Sequence, residues 1–142
     1  MKTFSLDGKV AVVTGALGLL GRQHCLALAE AGANVVVSDL DGRQSQELAG
    51  SLPTASMGVS FDVRSPVAIK AALNTVLGKF GQVDVLVNNA AINDMFESPA
   101  LAAEQAKFEN YPLQMWQKSL EVNVTGVFLC AQIFGTQMAR QG

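Results

Sequence analysis

Apolar positions along the chain fall in short unbroken β-branched runs, separated by longer stretches with helical spacing. Val10-Ala11-Val12-Val13 follows the charged Lys9 and reads as a strand buried on both faces. After a glycine-rich turn, Leu19 to Ala31 reads as a helix, with Leu20, His24, Ala27, Leu28 and Ala31 on one stripe. Gly32 is placed to end that helix in the left-handed conformation. Asn34-Val35-Val36-Val37-Ser38 is the second strand, and Asp41 caps a helix running to about Leu52, just before Pro53. Val59-Ser60-Phe61 supplies a short third strand. Ser65-Pro66 joins a side-chain cap to a proline in the first turn, and Ile69, Leu73, Val76, Leu77 and Phe80 then recur at helical spacing until Gly81. Val83-Asp84-Val85-Leu86-Val87 is the fourth strand. A last helix spans roughly Leu113 to Arg140, with Leu120, Val124, Val127, Ala131, Phe134 and Met138 on a broad face.

Strands that alternate with helices, and that are continuously rather than alternately apolar, predict a parallel sheet covered on both faces. The expected fold class is therefore α/β, a doubly wound parallel sheet of Rossmann type. Each strand–helix–strand unit needs about 30 residues. The 142 residues thus hold about four strands, and the sheet is expected to be incomplete on its C-terminal side, residues 1–142 forming the first part of a longer single-domain protein.

Composition narrows the class. Hydrophobic residues make up 49% of the chain and charged residues 15%, which excludes a disordered or highly charged coiled-coil chain. A net charge of −2 supplies no basic face for phosphate neutralisation, so no nucleic-acid partner is expected. Cys25 and Cys130 form no CxxC pattern and His24 is the single histidine, so no metal site is expected. The cysteines read as reduced, buried small residues and His24 as a packing residue. The Val10–Leu20 stretch is too short to cross a bilayer and is broken by Thr14, Gly15 and Gly18. A cytoplasmic protein with no membrane partner is the expectation.

The candidate chemistry sits in the first turn, Thr14-Gly15-Ala16-Leu17-Gly18-Leu19-Leu20-Gly21. Gly15 lets the chain turn off the strand, Gly18 removes a Cβ where a pyrophosphate approaches the backbone, and Gly21 lets the helix pack closely. The helix start offers free N–H groups and a positive dipole end to an anion. Asp39 closes strand two, near the distance of about 20 residues at which an acid binds the adenosine ribose diol. A carboxylate there accepts both hydroxyls and repels a 2′-phosphate, which points to NAD rather than NADP.

These residues resemble the short-chain dehydrogenase/reductase family. The resemblance is carried by Thr14-Gly15 with Gly18 and Gly21, by Asp39, by Asp62-Val63, by Asp84-Val85-Leu86-Val87-Asn88-Asn89-Ala90-Ala91, and by Val122-Asn123-Val124-Thr125-Gly126. The resemblance implies an NAD-dependent enzyme that moves a hydride between nicotinamide and a secondary alcohol or ketone, of which this chain is the N-terminal cofactor-binding half. It also implies individual roles. Asp62 meets the adenine amino group and Val63 packs on the ring. The backbone around Leu17, Gly18 and Leu20 holds the pyrophosphate. Asn89, Ala90 and Ala91 line the ribose path. Asn123 is the catalytic asparagine that positions a water in the proton relay, while Asp84 and Asn88 steady strand ends. The last helix pairs with its copy in a homo-oligomer, or else is buried by the rest of a longer chain.

Two departures from the family pattern matter. Leu19 stands where the family usually has glycine, and the resulting Gly-x-x-Gly-x-x-Gly spacing also occurs in nucleotide-sugar epimerases and dehydratases; Ala91 likewise replaces a commoner glycine. The family's serine and its Tyr-x-x-x-Lys are not present: Tyr111 is the single tyrosine and Met115 stands four residues on. The chain alone is therefore expected to be inactive, and a non-catalytic NAD-binding module is a competing reading. Asn93 to Pro112 is a long connection holding Phe96, Phe108 and Tyr111, with Trp116 just after. It reads either as a substrate-binding loop or as an extra helix around Ala100 to Phe108, packed by its own aromatics.

Overall fold

A computed structural model describes residues 4–93, 105 and 107–142. Four strands form one parallel sheet: β1 (Val10–Thr14), β2 (Asn34–Asp39), β3 (Met57–Ser60) and β4 (Val85–Val87), in the spatial order β3-β2-β1-β4. Val12 lies opposite Val36 on one side and Leu86 on the other. Strand β3 begins two residues earlier than its apolar run suggests, and Val83 and Asp84 precede β4 instead of opening it.

The alternation of strand side chains feeds two cores. Val10, Val12 and Val36 face α3 (Pro66–Phe80) and α5 (Gly126–Gln141), packing with Ile69, Val76, Val83 and Phe134. Ala11, Val13, Val35 and Val37 face α1 (Leu19–Glu30) and α2 (Gly42–Ser51), packing with Cys25, Ala29 and Ala49. The sheet is therefore covered on both sides, which is why its strands are continuously apolar. Full burial of a side chain such as Ile69 contributes about 2 kcal/mol.

The helix ends behave as the sequence predicts. Asp41 Oδ1 accepts the Gln44 N–H at 2.9 Å, and Ser65 Oγ accepts the Ala68 N–H at 3.2 Å. Gly81 closes α3 at φ 75°. At the end of α1 the Gly32 N–H bonds Ala29 O and the Ala33 N–H bonds Leu28 O, the paired bonds of a Schellman motif, with Gly32 at φ 106°.

Two predicted faces are corrected. Helix α1 buries Gly21, Cys25 and Ala29, not the stripe through Leu20 and His24; His24 is exposed and Leu20 is 63% exposed. Close contact with the sheet selects the small side chains over the most apolar ones. The last helix comprises α4 (Leu113–Leu120), a π-helical turn at Glu121–Thr125, and α5. The turn holds one extra residue per hydrogen-bonded ring, and α5 buries Gly126, Cys130, Ile133 and Phe134. Of the predicted face only Phe134 is fully buried, whereas Val124 and Val127 are exposed. By length and composition the run Leu113–Gln141 could cross a bilayer, but here Cys130, Ile133 and Phe134 pack into the core. Most of the long connection, including most of the extra helix expected around Ala100 to Phe108, lies outside the described residues. Phe108 begins a 3₁₀ turn, Phe108–Asn110, and is exposed.

Cys25 and Cys130 are both buried and free, and burial pushes each thiol up to about 11. Asp84 ties β1 to β4: its Oδ2 accepts the Val10 N–H at 2.8 Å and the Gln82 amide at 2.8 Å, and its Oδ1 accepts Lys9 Nζ at 3.0 Å. Burial raises this carboxyl, but the Val10 N–H, the Lys9 ammonium and the Gln82 amide together outweigh it and hold it below the usual range. A depressed folded-state value means that the stabilisation is complete above the unfolded carboxyl's pKa, about 3.9, and lost as pH falls below it. Asp84→Asn is thus expected to destabilise the chain at pH 7 by about 1 kcal/mol, with the difference from wild type shrinking in urea melts as pH falls below about 3.9.

Candidate functional site

Strand order reverses at β1, with β2 on one side and β4 on the other, so the crevice beyond the strand ends lies between the turns that follow β1 and β4. A cleft of about 700 Å³ opens there. It is lined by Gly15, Leu17, Gly18, Leu20, Asp39, Asp62, Val63, Asn89, Ala90 and Ala91, so most of the residues singled out in the sequence come together on one surface. Gly21 and Asn123 do not line it; Gly21 sits beneath the turn, and Asn123 adjoins the lining residue Val122.

The three glycines differ in what requires them. Gly15 has φ 61°, and a Cβ there would lie 2.7 Å from Ala90 Cα. A Cβ on Gly21 would overlap the Gly15 carbonyl and lie 2.7 Å from Ala16 Cα. Gly18 has φ −71° and ψ 174°, ordinary extended backbone, and a Cβ would meet nothing closer than Gly15 O at 3.4 Å. Neither backbone conformation nor packing demands glycine at position 18, yet the residue faces the cleft at the mouth of α1.

Within α1 the Arg22 N–H is the first to bond backwards, to Gly18 O at 3.2 Å. The N–H groups of Leu19, Leu20 and Gly21 precede that bond and have no partner within the helix. No acidic side chain occupies this first turn, so the helix itself supplies no charge to offset its positive end.

Asp39 borders the same turn. Its Oδ2 accepts the Leu17 N–H at 3.0 Å and its Oδ1 accepts the Leu40 N–H at 2.8 Å. A carboxylate oxygen has two lone-pair directions, so each retains one for a further donor. Leu19, Leu20 and Leu40 form an exposed apolar rim.

Other predicted residues make definite contacts within the chain. Asp62 is gripped by Arg64, whose Nε lies 3.0 Å from both carboxylate oxygens and whose Nη2 lies 2.6 Å from Oδ2. Arg64 thereby holds the Asp62 carboxyl below its usual range. The same guanidinium reaches Glu121 of the π turn at 3.7 Å. Val63 packs against Gly126, where a Cβ would lie 2.6 Å from Val63 Cγ2. Asn89 clasps the turn itself: its Nδ2 donates to Thr14 O at 3.0 Å and to Gly15 O at 2.9 Å. Asn123 bonds the Ile92 backbone through both ends of its amide, Oδ1 accepting at 2.8 Å and Nδ2 donating at 3.0 Å.

Sequence reading missed one contact and two residues. The Thr14 hydroxyl accepts the N–H groups of Asn89 and Ala90 at 3.1 and 3.0 Å, welding the two turns together. Arg22 and Arg64, both exposed, carry no periodic signal; Arg64 lines the cleft beside Asp62, and Arg22 reaches back to Leu17 O behind the turn.

Comparison with known proteins identifies the family. The chain is 35% identical over 142 residues to D-threitol dehydrogenase of Mycolicibacterium smegmatis, covering 98% of this chain and 51% of that protein. It is 30% identical over 141 residues to the NAD-dependent glycerol dehydrogenase of Listeria innocua, covering 99% and 52%. A crystal structure of a short-chain type dehydrogenase/reductase from Mycobacterium marinum superposes with a TM-score of 0.84 at 31% identity, covering 97% of this chain and 53% of that one. The chain thus spans about half the length of these relatives. Residues 9–142 match the short chain dehydrogenase family as a whole, and the chain belongs to that family.

Proposed function

We propose that residues 1–142 are the NAD-binding part of an oxidoreductase that interconverts a small secondary alcohol and its ketone. Gly18 carries the reading: it is a glycine that the fold does not need, placed beside unpartnered helix N–H groups in a cleft. The residues fit the dinucleotide. Free N–H groups at Leu19 and Leu20 would hold the diphosphate, with the backbone of Leu17 and Gly18 shaping their approach and Gly21 seating the helix beneath the turn. The two open lone pairs of Asp39 match the two hydroxyls of a ribose diol, and its charge disfavours a 2′-phosphate. Asn89, Ala90 and Ala91 would line the far side, with small side chains allowing close approach. Asp62 and Val63 remain the proposed adenine contacts, with an amino group sharing Asp62 with Arg64. The bound nicotinamide supplies or accepts the hydride. Asn123 acts here by fixing the Ile92 backbone at the exit of β4, which sets the wall of the cleft nearest the π turn.

Relatives named as dehydrogenases favour this over a nucleotide-sugar epimerase, despite the glycine spacing. Tyr111 is the single tyrosine of this sequence and has no lysine four residues on, so the proton-transfer acid is assigned to no residue of this chain.

Gly18→Ala tests the proposal. With φ −71° and no close neighbour, the substitution is expected to leave the thermal midpoint within about 2 °C of wild type, because a compatible backbone offsets the weaker cap. NAD affinity by calorimetry is expected to fall at least about tenfold, because the new methyl stands where phosphate approaches. Unchanged affinity would remove the main support for a diphosphate at this turn.

A further inference from the structure

Leu17 sits at the apex of the turn, and both of its backbone polar groups are held by charged side chains. Its N–H is bonded by the Asp39 carboxylate at 3.0 Å, and its carbonyl oxygen accepts from Arg22 Nε at 2.9 Å. The neighbouring backbone groups are fixed as well: Ala16 N–H on Ser38 O at 3.0 Å, Gly18 N–H on Gly15 O at 3.2 Å, and Gly18 O on the Arg22 N–H at 3.2 Å. Arg22 is thus the one side chain of α1 that reaches back to hold the turn from which α1 starts.

Its placement runs against the electrostatics of an isolated helix. A cation near the N-terminus is repelled by the positive end of the dipole, by about 0.3–1 kcal/mol at an exposed site. No acid within the first turn relieves that repulsion; the nearby carboxylate, Asp39, is engaged by the Leu17 N–H and the Leu40 N–H. Arg22 is exposed and outside both cores, so packing does not explain it either. A guanidinium kept where it opposes the helix suits a site that receives an anion, and its Nε saturates the carbonyl of Leu17, an oxygen that would otherwise repel that anion.

We propose that Arg22 is a positioning residue for the diphosphate, acting with Asp39 as a two-sided clamp on Leu17 that keeps the turn in its anion-receiving shape. The proposal rests on the dinucleotide reading of the cleft. Asp39 then has two tasks, recognising the ribose and holding the turn, while Arg22 has only the second.

The test uses the full chain with Arg22→Met and Arg22→Lys. The probes are NAD and ADP by calorimetry and adenosine by NMR titration. Arg22→Met is expected to bind NAD and ADP about tenfold more weakly, the effect of losing one charge-assisted hydrogen bond, with adenosine affinity and thermal midpoint unchanged. Arg22→Lys is expected to recover most of the loss. The defect should persist at about 0.5 M salt, where the Debye length is only a few ångström. Equal losses for ADP and adenosine, no loss for either, or a defect that disappears in high salt would each overturn the clamp. Wild-type chain that binds ADP no more tightly than adenosine would instead overturn the dinucleotide reading, and the clamp with it.

Discussion

Gly21→Ala is expected to lower the thermal midpoint by roughly 10 °C. Helix propensity alone argues the opposite, since alanine is favoured over glycine inside a helix by about 1 kcal/mol. Packing decides the sign. The added Cβ would overlap the Gly15 carbonyl and stand 2.7 Å from Ala16 Cα and 2.9 Å from Ala16 C. All three are backbone atoms of a turn pinned by Asn89, so no side chain can rotate away. Overpacking of this kind costs about 3 kcal/mol, and each kcal/mol moves the midpoint of a domain this size by a few degrees. A melt within about 2 °C of wild type would show that the helix can lift off the turn freely. The contrast with Gly18→Ala is diagnostic, because two glycines of one motif then separate: position 21 serves the fold and position 18 serves the ligand.

Asp39→Ala is expected to weaken NAD binding about a hundredfold and to bring NAD and NADP to within a few fold of one another. Two charge-assisted hydrogen bonds to the ribose disappear, each worth about 1.5–3 kcal/mol. NADP loses less, because the repulsion of its 2′-phosphate goes at the same time. Both cofactors share one further loss, since the Leu17 N–H is no longer held. Calorimetric titration of the two cofactors against wild type and variant gives the ratio directly. Equal weakening of both would place the ribose away from Asp39.

The sequence made the architecture legible because the signals were local and redundant. Asp41, Ser65-Pro66, Gly32 and Gly81 each mark a helix end by a bond or a backbone angle that few residues supply, and all four do so in the structure. The α1 stripe was illegible for a physical reason. Hydropathy ranks leucine above glycine, cysteine and alanine, but a helix lying close on a sheet buries the small residues and turns Leu19, Leu20 and Leu26 outward. The α5 face was displaced by the π turn at Glu121–Thr125, which no spacing rule announces. At the cleft, the clustering of Gly15, Gly18, Asp39 and Asn89 followed from topology, since all lie in or beside the turns that end β1, β2 and β4. The engagement of Asp62 by Arg64 and of Asn123 by Ile92 depends on side-chain geometry across separate elements, which lies beyond one-dimensional pattern.

Titration of the chain with NAD, followed by backbone amide shifts in NMR, tests the central claim most directly. Saturable shifts concentrated at Gly18, Leu19, Leu20 and Asp39, with NADP binding at least about tenfold more weakly, are the predicted result. Saturation that leaves those amides unmoved, or equal affinity for the two cofactors, would contradict it.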